Sequence, residues 1–491
     1  MKSEKLRPVM LGGTGSDVGK SVLVAGLCRI FLQDGYNPAP FKAQNMALNS
    51  YVTADGLELG RAQAMQAEAA GIECLAEMNP ILLKPIGDCT SQVVLNGKPI
   101  GNRTASDYFN QKGRDFLRQE THAAFDRLAA MYNPIVMEGA GSIAEINLMD
   151  LDLVNVPMAR YADAPIILVA DIRRGGVFAS VYGSIMLQKP EDRDRIKGVI
   201  INQFRGDIRL FETGRHLIEE LCGVPVLGVM PYLEDLHIEE EDSYFTKQHY
   251  MGNSSGKVNV AIVRLSHISN FTDFDPLEAD PRANVFYTDS ADAIAKSDIV
   301  ILPGSKATIS DLEEIRQNGV AQAIIDARTN GKTVIGICGG YQMMGRTISD
   351  PQGIEGAPRV VEGLGLLPID TEITAEKLTR RIGFKWRGSD EQCQGYEIHM
   401  GKTVMDTGVQ RAAALEDGTA DGCVADDRCF GTYLHGLFDN ACVVESVLGQ
   451  FEIANDRHFD YKAFKNSQYD YLAEVMRKHI DIDKIYKIMG R

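Results

Sequence analysis

Cys338 stands where a short apolar run meets two glycines and then a helix-like stretch. The segment reads Thr333-Val-Ile-Gly-Ile-Cys-Gly-Gly-Tyr-Gln-Met-Met. A β-branched run, a glycine turn and a helix are typical of a nucleophile elbow, which holds one side chain in the open. Backbone N–H groups at such a turn, including that of Gly339, can hold an oxyanion, and the helix N-terminus favours a thiolate. A buried core cysteine is the alternative, but two glycines directly after it would add no packing.

A thiol nucleophile needs a base, and the chain has nine histidines. The best candidate is His435, in Phe430-Gly-Thr-Tyr-Leu-His-Gly-Leu-Phe-Asp, where a predicted strand ends in a glycine turn. Functional groups in α/β domains collect at such strand ends. A third segment, Asp298-Ile-Val-Ile-Leu-Pro-Gly-Ser-Lys, predicts a buried strand whose exit could present the Gly304 N–H to an oxyanion. A structural histidine is the alternative for His435 taken alone.

The other end of the chain predicts a phosphate-binding loop. An apolar run from Arg7 leads into a glycine-rich loop, and an amphipathic helix follows. Successive backbone N–H groups and the helix N-terminus form a cradle for phosphate, with a lysine for the β/γ-phosphates and a hydroxyl for magnesium. The first-glycine position of the usual loop is taken by a threonine. The predicted ATP-binding residues are Gly13, Thr14, Gly15, Ser16, Asp17, Val18, Gly19, Lys20 and Ser21.

Two further strand ends fit the same nucleotide site. Pro134-Ile-Val-Met-Glu ends in Glu138, a carboxylate suited to Mg²⁺ together with Ser21. Gly198-Val-Ile-Ile-Asn ends in Asn202, an amide suited to the adenine edge. Lys42 is a further candidate for neutralising phosphate charge. A cap is the alternative for each strand-end residue alone, and their order along the chain after the loop favours the nucleotide site.

Composition indicates a cytoplasmic enzyme of more than one domain. A chain of 491 residues is too long for one core. The net charge of −16 argues against nucleic acid or an anionic membrane as a partner. Nine scattered cysteines without a C-x-x-C pair or a secretory leader indicate a reducing compartment. Apolar runs such as 164–170 fall far short of the ~20 residues of a membrane-spanning helix.

The predicted fold is α/β with two domains. A polar, glycine- and serine-rich stretch at 247–257 follows an acidic run and reads as a linker. We therefore expect a P-loop NTPase-type domain at 1–250 and a second α/β domain at 251–491. Buried strands alternate with helical segments on each side of the linker, which predicts parallel sheets covered by helices on both faces. The stretch from Tyr461 to Met489 has helical spacing and is expected to pack on the second domain. The sequence leaves open whether the protein forms a homo-oligomer.

The second half resembles the class I (triad-type) glutamine amidotransferases. The resemblance runs from Val258 to Gly449, through Pro303-Gly-Ser, Cys338 and His435. It implies a flavodoxin-like fold, L-glutamine as a substrate and a Cys/His pair that releases ammonia. In most of that family, proline and an orienting glutamate follow the histidine, whereas Gly436 and Leu437 stand here. What orients His435 is therefore left open.

The phosphate loop resembles that of dethiobiotin synthetase and its relatives. A glutaminase and an ATP site in one chain imply that ATP phosphorylates a carboxylate and that ammonia then displaces phosphate from the acyl phosphate. Positioning and charge neutralisation, rather than covalent help from the protein, are what such a phosphoryl transfer needs.

Nearly the whole chain resembles the cobyric acid synthases. That family amidates the b, d, e and g side-chain carboxylates of adenosylcobyrinic acid a,c-diamide, which implies a corrinoid substrate. The polar cluster Gln44, Asn45 and Asn49 is then a candidate substrate site, and turn or cap chemistry is the alternative. The segments that carry the resemblance are Phe41–Ser50, Gly60–Ala69, Glu145–Leu148, Asp171–Phe178, Glu239–Ser243, His267–Asp275 and Gly395–Gly401.

Two other functions stay open at this point. One is a cobyrinic acid a,c-diamide synthase, a sister amidase with the same two-domain plan, although Lys42-Ala-Gln-Asn favours cobyric acid synthase. The other is a P-loop ATPase switch of the partitioning type. Such switches carry an additional lysine early in the loop, where this chain has Gly12-Gly-Thr, and they lack an amidotransferase half.

Overall fold

The computed structural model describes residues 5–47, 49–87, 90–104, 108, 111–238, 256–452 and 459–491. The chain forms two compact units. The first unit comprises 1–53, 57–240 and 464–491, and the second comprises 54–56 and 241–463. The predicted boundary between residues 250 and 251 and the acidic run at 239–243 lie outside the described residues.

The strands are numbered in chain order. Those of the first unit are β1 (Val9–Gly13), β2 (Ala39–Phe41), β3 (Gln44–Met46), β4 (Ser50–Val52), β5 (Glu58–Gly60), β6 (Ile81–Gly87), β7 (Thr90–Leu95), β8 (Lys98–Thr104), β9 (Ile135–Glu138), β10 (Ile166–Asp171), β11 (Ile196–Phe204) and β12 (Val226–Pro231). Those of the second unit are β13 (Val258–Val263), β14 (Ile268–Ser269), β15 (Ala283–Thr288), β16 (Ile299–Leu302), β17 (Gly304–Ser305), β18 (Thr333–Ile337), β19 (Thr347–Asp350), β20 (Arg359–Glu362), β21 (Ile369–Trp386), β22 (Cys393–Met405), β23 (Ala413–Leu415), β24 (Ala420–Asp421), β25 (Cys423–Asp426), β26 (Cys429–Thr432) and β27 (Leu434–His435).

The α-helices are numbered in the same way. They are α1 (Lys20–Gln33), α2 (Arg61–Ala69), α3 (Gln111–Met131), α4 (Val156–Tyr161), α5 (Val177–Met186), α6 (Pro190–Arg193), α7 (Glu212–Cys222), α8 (Asp275–Ala279), α9 (Ala291–Lys296), α10 (Thr308–Gln317), α11 (Val320–Thr329), α12 (Gly339–Met343), α13 (Ala441–Leu448), α14 (Tyr461–His479) and α15 (Ile482–Ile488). None of the helices in the described ranges combines the length and the apolar character that a bilayer-spanning segment requires.

The first unit is built on the parallel sheet that the sequence predicts. Its strand order is β12-β11-β10-β1-β9-β2. All of β1 is buried, and so is β10 up to its last residue, as expected for strands covered on both faces. Strands β10 and β9 flank β1, so the three carboxyl ends lie side by side. The loop after β1 therefore opens at the sheet edge where such folds bind ligands.

The C-terminal helices pack on the first unit, so the prediction that they pack on the second domain is wrong. From residue 464 onward the chain belongs to the first unit. Leu472 and Met476 lie one turn apart on α14 and are fully buried in one apolar cluster with α1. Gly26 on α1 allows the close approach, because a Cβ there would lie 2.0 Å from Met476 Sδ. An amphipathic helix packs where its apolar stripe meets a matching surface, and chain order does not decide that place.

The second unit has the predicted α/β sheet and a further sheet. The first has the order β15-β13-β16-β18-β26-β25 and is parallel except for the β25–β26 pair. The further sheet, in the order β20-β19-β21-β22-β27, contains the long antiparallel pair β21–β22 and goes beyond what the sequence predicts. Strand β27 pairs Tyr396 with His435, so this sheet holds the histidine in place.

Candidate active sites

Cys338 occupies a strained turn between β18 and α12. Its φ of 50° and ψ of −108° are sparsely populated for a residue with a side chain. The glycines after it are sterically required. A Cβ on Gly340 would lie 2.0 Å from the Leu302 carbonyl oxygen, and one on Gly339 would lie 2.8 Å from the Ser305 nitrogen. The segment therefore has the strand–turn–helix geometry that the sequence predicts.

His435 and Gly304 lie in the same site as Cys338. A Cβ on Gly304 would lie 3.4 Å from His435 Cε1, so these two segments are in contact. The Tyr396 ring stacks on the imidazole at 5.2 Å between centroids and 18° between planes. His435 is almost completely buried, and so is Cys338. Because the Cys338 side chain also interacts with that of His435, the three segments that the sequence singled out in this half of the chain converge.

Asp273 and Asn270 complete the surroundings of His435, and the sequence assigned a role to neither. Asp273 Oδ2 lies 2.6 Å from His435 Nδ1, and Asp273 Oδ1 accepts a 2.9 Å hydrogen bond from the Gly436 N–H. Asn270 Nδ2 lies 3.3 Å from both ring nitrogens. Both residues belong to the segment His267–Asp275, whose resemblance to a family was the only signal for it.

The surroundings of His435 favour its protonated form. Burial by itself would lower the pKa of the imidazole, but the charges of Asp273 and Cys338, with their hydrogen bonds, raise that pKa from 6.5 to about 10. An imidazolium stabilised by a carboxylate can in turn stabilise a thiolate. The site can therefore supply a nucleophile and a proton donor for acyl transfer.

The phosphate loop spans the turn from β1 into α1. Lys20 Nζ donates to the carbonyl oxygens of Gly15 at 2.9 Å and Gly141 at 3.1 Å, which folds the lysine back over the loop. A Cβ on Gly13 would lie 2.7 Å from this ammonium group. Gly19 has a φ of 87°, which only glycine adopts readily. Burial lowers the pKa of Lys20 to about 8, an effect that the nearby Glu138 carboxylate opposes.

Glu138 is the centre of the polar cluster behind this loop. Its Oε1 accepts from Ser21 Oγ at 2.9 Å and from Lys42 Nζ at 2.8 Å, and its Oε2 accepts from Gln66 Nε2 at 2.6 Å. Burial would raise the pKa of this carboxyl group, but the charge and hydrogen bond of Lys42 and the other donors lower it. The structure thus brings together Ser21, Glu138 and Lys42. It adds Gln66, which the sequence indicated only as part of a segment that resembles a known family.

The donor set fits magnesium. Mg²⁺ is commonly held by one or two carboxylates with substrate phosphates and water, rather than by an all-protein cage. Ser21 Oγ and Glu138 Oε1 are 2.9 Å apart, adjacent to the loop that would hold the phosphates. Within the described residues, no group of three or more His, Cys, Asp or Glu side chains could hold a metal ion.

Asn202 lies against the loop. Its Nδ2 donates to the Val18 carbonyl oxygen at 2.8 Å. A Cβ on Gly19 would lie 2.2 Å from this Asn202 nitrogen. The amide therefore supports the loop in this structure, and its role toward adenine stays a prediction.

The candidate substrate residues lie on β3 and just beyond it. Gln44 Oε1 accepts from Tyr108 OH at 2.6 Å and from Arg114 Nη1 at 3.3 Å. Asn45 Nδ2 donates to Gln63 Oε1 at 3.3 Å. Asn49 is buried, and among the described residues neither its amide oxygen nor its amide nitrogen has a hydrogen-bond partner. A buried amide without partners is costly, which favours a ligand-binding role over simple packing.

Two family models match the chain. The model described as "CobQ/CobB/MinD/ParA nucleotide binding domain" matches residues 9–243. The model described as "CobB/CobQ-like glutamine amidotransferase domain" matches residues 259–443. The first range contains the phosphate loop, and the second contains Cys338 and His435.

Curated relatives match over almost the full length. A cobyric acid synthase from Bacteroides fragilis is 60% identical over 490 residues, which cover 99% of each chain. A cobyric acid synthase from Salmonella choleraesuis is 50% identical over 500 residues, which cover 98% of each chain. Among solved structures, PurLQS from Thermotoga maritima is 16% identical, with 40% of this chain and 100% of that chain covered. Its TM-score of 0.31 is too low to carry an argument.

Proposed function

This chain belongs to the cobyric acid synthase family, and on that basis we propose how its two units divide the reaction. It is a ligase with a nucleotide-binding domain and a glutamine amidotransferase domain, and it carries out glutamine-dependent amidation in cobalamin biosynthesis. In our proposal the second unit releases ammonia from L-glutamine, and the first unit activates corrinoid carboxylates with ATP. A nucleotide switch would leave the amidotransferase match unexplained. The two curated relatives described above carry the name cobyric acid synthase rather than that of the a,c-diamide synthase.

Cys338 and His435 carry out the glutaminase reaction in this proposal. The sulfur attacks the carboxamide carbon of glutamine, and His435 gives its proton to the departing nitrogen, so ammonia leaves and a glutamyl thioester remains. Water, deprotonated by His435, then hydrolyses the thioester to glutamate and frees the thiol. The N–H groups of Gly304 and Gly339 are the proposed oxyanion donors. The observation that carries this half is the strained Cys338 turn in contact with a buried histidine whose pKa is raised.

The first unit activates the acceptor carboxylate. A carboxylate oxygen attacks the γ-phosphorus of ATP, ADP leaves, and ammonia then attacks the acyl carbon of the acyl phosphate and expels phosphate. Lys20 and Lys42 place positive charge where the phosphates would lie. Ser21 and Glu138 would hold Mg²⁺, which supplies charge neutralisation on the phosphate oxygens. When nucleotide binds, Lys42 can exchange its carboxylate partner for phosphate.

The acceptors in this proposal are the b, d, e and g side-chain carboxylates of adenosylcobyrinic acid a,c-diamide. Gln44, Asn45 and Asn49 are proposed to line the corrinoid site, since they supply amide donors and acceptors suited to carboxylates and carboxamides. The buried amide of Asn49, for which the described residues offer no hydrogen-bond partner, supports this assignment. The cysteine content of the sequence supports a reducing cytoplasm as the compartment.

A comparison of nitrogen sources tests the division of labour. Cys338→Ala should lose glutamine-dependent amidation and keep amidation driven by ammonium salts, because the acyl phosphate accepts ammonia from solution. Lys20→Ala should lose amidation with either source, because no carboxylate is activated. Cys442→Ala is the matched control, since it removes a partly buried thiol of the same unit outside the site. The products are counted by mass, with up to four amidations of the a,c-diamide expected.

Two results would contradict the proposal. Glutamine hydrolysis at the wild-type rate in Cys338→Ala would remove the nucleophile assignment. Full ammonium-driven activity in Lys20→Ala would remove the ATP assignment.

A further inference from the structure

The carboxylate of Asp273 is fixed between the imidazole of His435 and the backbone that follows it. We propose that Asp273 is the positioning residue of the glutaminase, which orients His435 and stabilises its protonated form. This inference rests on the proposed function of Cys338 and His435. The position two residues after the histidine is occupied by Leu437, which is buried in the apolar core and cannot accept a hydrogen bond through its side chain.

The contact selects one tautomer of the imidazole. Asp273 Oδ2 lies 2.6 Å from Nδ1, the distance of a short, charge-assisted hydrogen bond. A carboxylate only accepts hydrogen bonds, so Nδ1 carries a proton and donates it to this contact. Nε2 is then the nitrogen that exchanges a proton with the Cys338 thiol and with the leaving ammonia.

The carboxylate is itself held rigidly. Its Oδ1 accepts from the Gly436 N–H at 2.9 Å, so the side chain bridges the ring and the backbone of adjacent residues. It extends from the 3-10 turn Phe271–Phe274, whose two phenylalanines are buried in the apolar core. Side-chain exposure is only 4% for Asp273 and 1% for His435. Burial makes both the orientation and the charge interaction more effective than they would be in water.

Two charged groups face His435 and raise the pKa of its imidazole. Asp273 and Cys338 are the charged partners, while Asn270 and Tyr396 contribute a neutral amide and a stacked phenol ring. Loss of the Asp273 charge should therefore make the imidazolium less stable and shift the active thiolate–imidazolium form to a smaller population. The role is that of positioning, because the carboxylate reaches the reaction only through His435.

Asp273→Asn separates this role from a purely structural one. The asparagine keeps an oxygen that can accept from the Gly436 N–H, and it removes the negative charge. We expect the kcat for glutamine hydrolysis to fall by about 10²- to 10⁴-fold, with the KM for glutamine changed less than about threefold. Ammonium-driven amidation should stay at the wild-type level. The rate of inactivation by iodoacetamide should reach half its maximum at a higher pH than in the wild type.

Three controls keep the result interpretable. Trp386, the single tryptophan, is buried in the second unit, so its fluorescence reports whether this unit is folded. Asp289→Asn makes the same chemical change at an exposed carboxylate and should alter none of these measurements. In a His435→Ala background, Asp273→Asn should cost no further activity, because Asp273 acts through the histidine.

The outcomes decide the matter. Suppose that Asp273→Asn hydrolyses glutamine within about threefold of the wild-type rate while Cys338→Ala is inactive. That result would overturn the positioning role and leave the proposed function standing. An unchanged pH profile of inactivation, or an equal further loss in the His435→Ala background, would also overturn it and indicate a structural carboxylate. Hydrolysis that persists in Cys338→Ala would instead remove the proposed function itself.

Discussion

Replacement of Glu138 by glutamine should destabilise the first unit, because it removes the carboxylate that forms an ion pair with a buried cation. Glu138 and Lys42 form an ion pair of 2.8 Å, with side-chain exposures of 1% and 8%. Removing one member of a buried pair costs about 3–5 kcal/mol, since the other charge remains desolvated. We therefore expect Glu138→Gln to lower the free energy of unfolding by about 3–5 kcal/mol. Glutamine keeps one acceptor oxygen, so the hydrogen bond from Ser21 or Gln66 can survive.

The assay is urea denaturation followed by far-UV circular dichroism, with and without a non-hydrolysable ATP analogue and Mg²⁺. Phosphate groups would give Lys42 a new anionic partner, so the analogue should return part of the lost stability. Glu73→Gln, at an exposed position, is the matched control and should change stability by less than about 0.5 kcal/mol.

A double-mutant cycle decides whether the ion pair is the cause. The double variant Glu138→Gln/Lys42→Met should lose clearly less stability than the sum of the two single variants, because both charges of the pair are then removed. A coupling of about 1–3 kcal/mol is expected for groups in contact. Additive losses, within about 0.5 kcal/mol, would refute the reasoning.

Two further predictions concern packing and pH. Met476→Ala should destabilise the first unit by about 2–5 kcal/mol in the same assay, because the fully buried Met476 side chain fills the space that Gly26 leaves open. A loss of stability below about 1 kcal/mol would contradict the packing of the C-terminal helices. His435 has a folded-state pKa of about 10, above its ordinary 6.5, so its stabilising contribution is complete below pH 6.5 and is lost as the pH rises through 10. Urea unfolding followed by Trp386 fluorescence should show stability falling over this window, with a smaller fall in Asp273→Asn; equal slopes in the two proteins would count against the charge interaction.

Features set by neighbouring residues could be predicted from the sequence. The Cys338 turn depends on an apolar run followed by two glycines, and the phosphate loop depends on a strand, a glycine-rich turn and a helix. Each pattern specifies its own backbone path, so the elbow geometry and the loop between β1 and α1 follow from a few adjacent residues. The buried parallel strands were equally predictable, because strands covered on both faces are apolar along their length.

The contacts between distant segments were decided only by the tertiary structure. Asp273 and His435 are 162 residues apart, and nothing in either local pattern indicates that a 3-10 turn would place a carboxylate on that imidazole. The same is true of Gln66 and Glu138, which are 72 residues apart. The C-terminal helices show the limit most clearly. Their helical spacing predicted their existence, but Gly26, far earlier in the chain, provides the surface on which α14 packs. An apolar stripe indicates that one face of a helix must be buried. Which surface buries that face is determined only by the shapes of all the packed elements together.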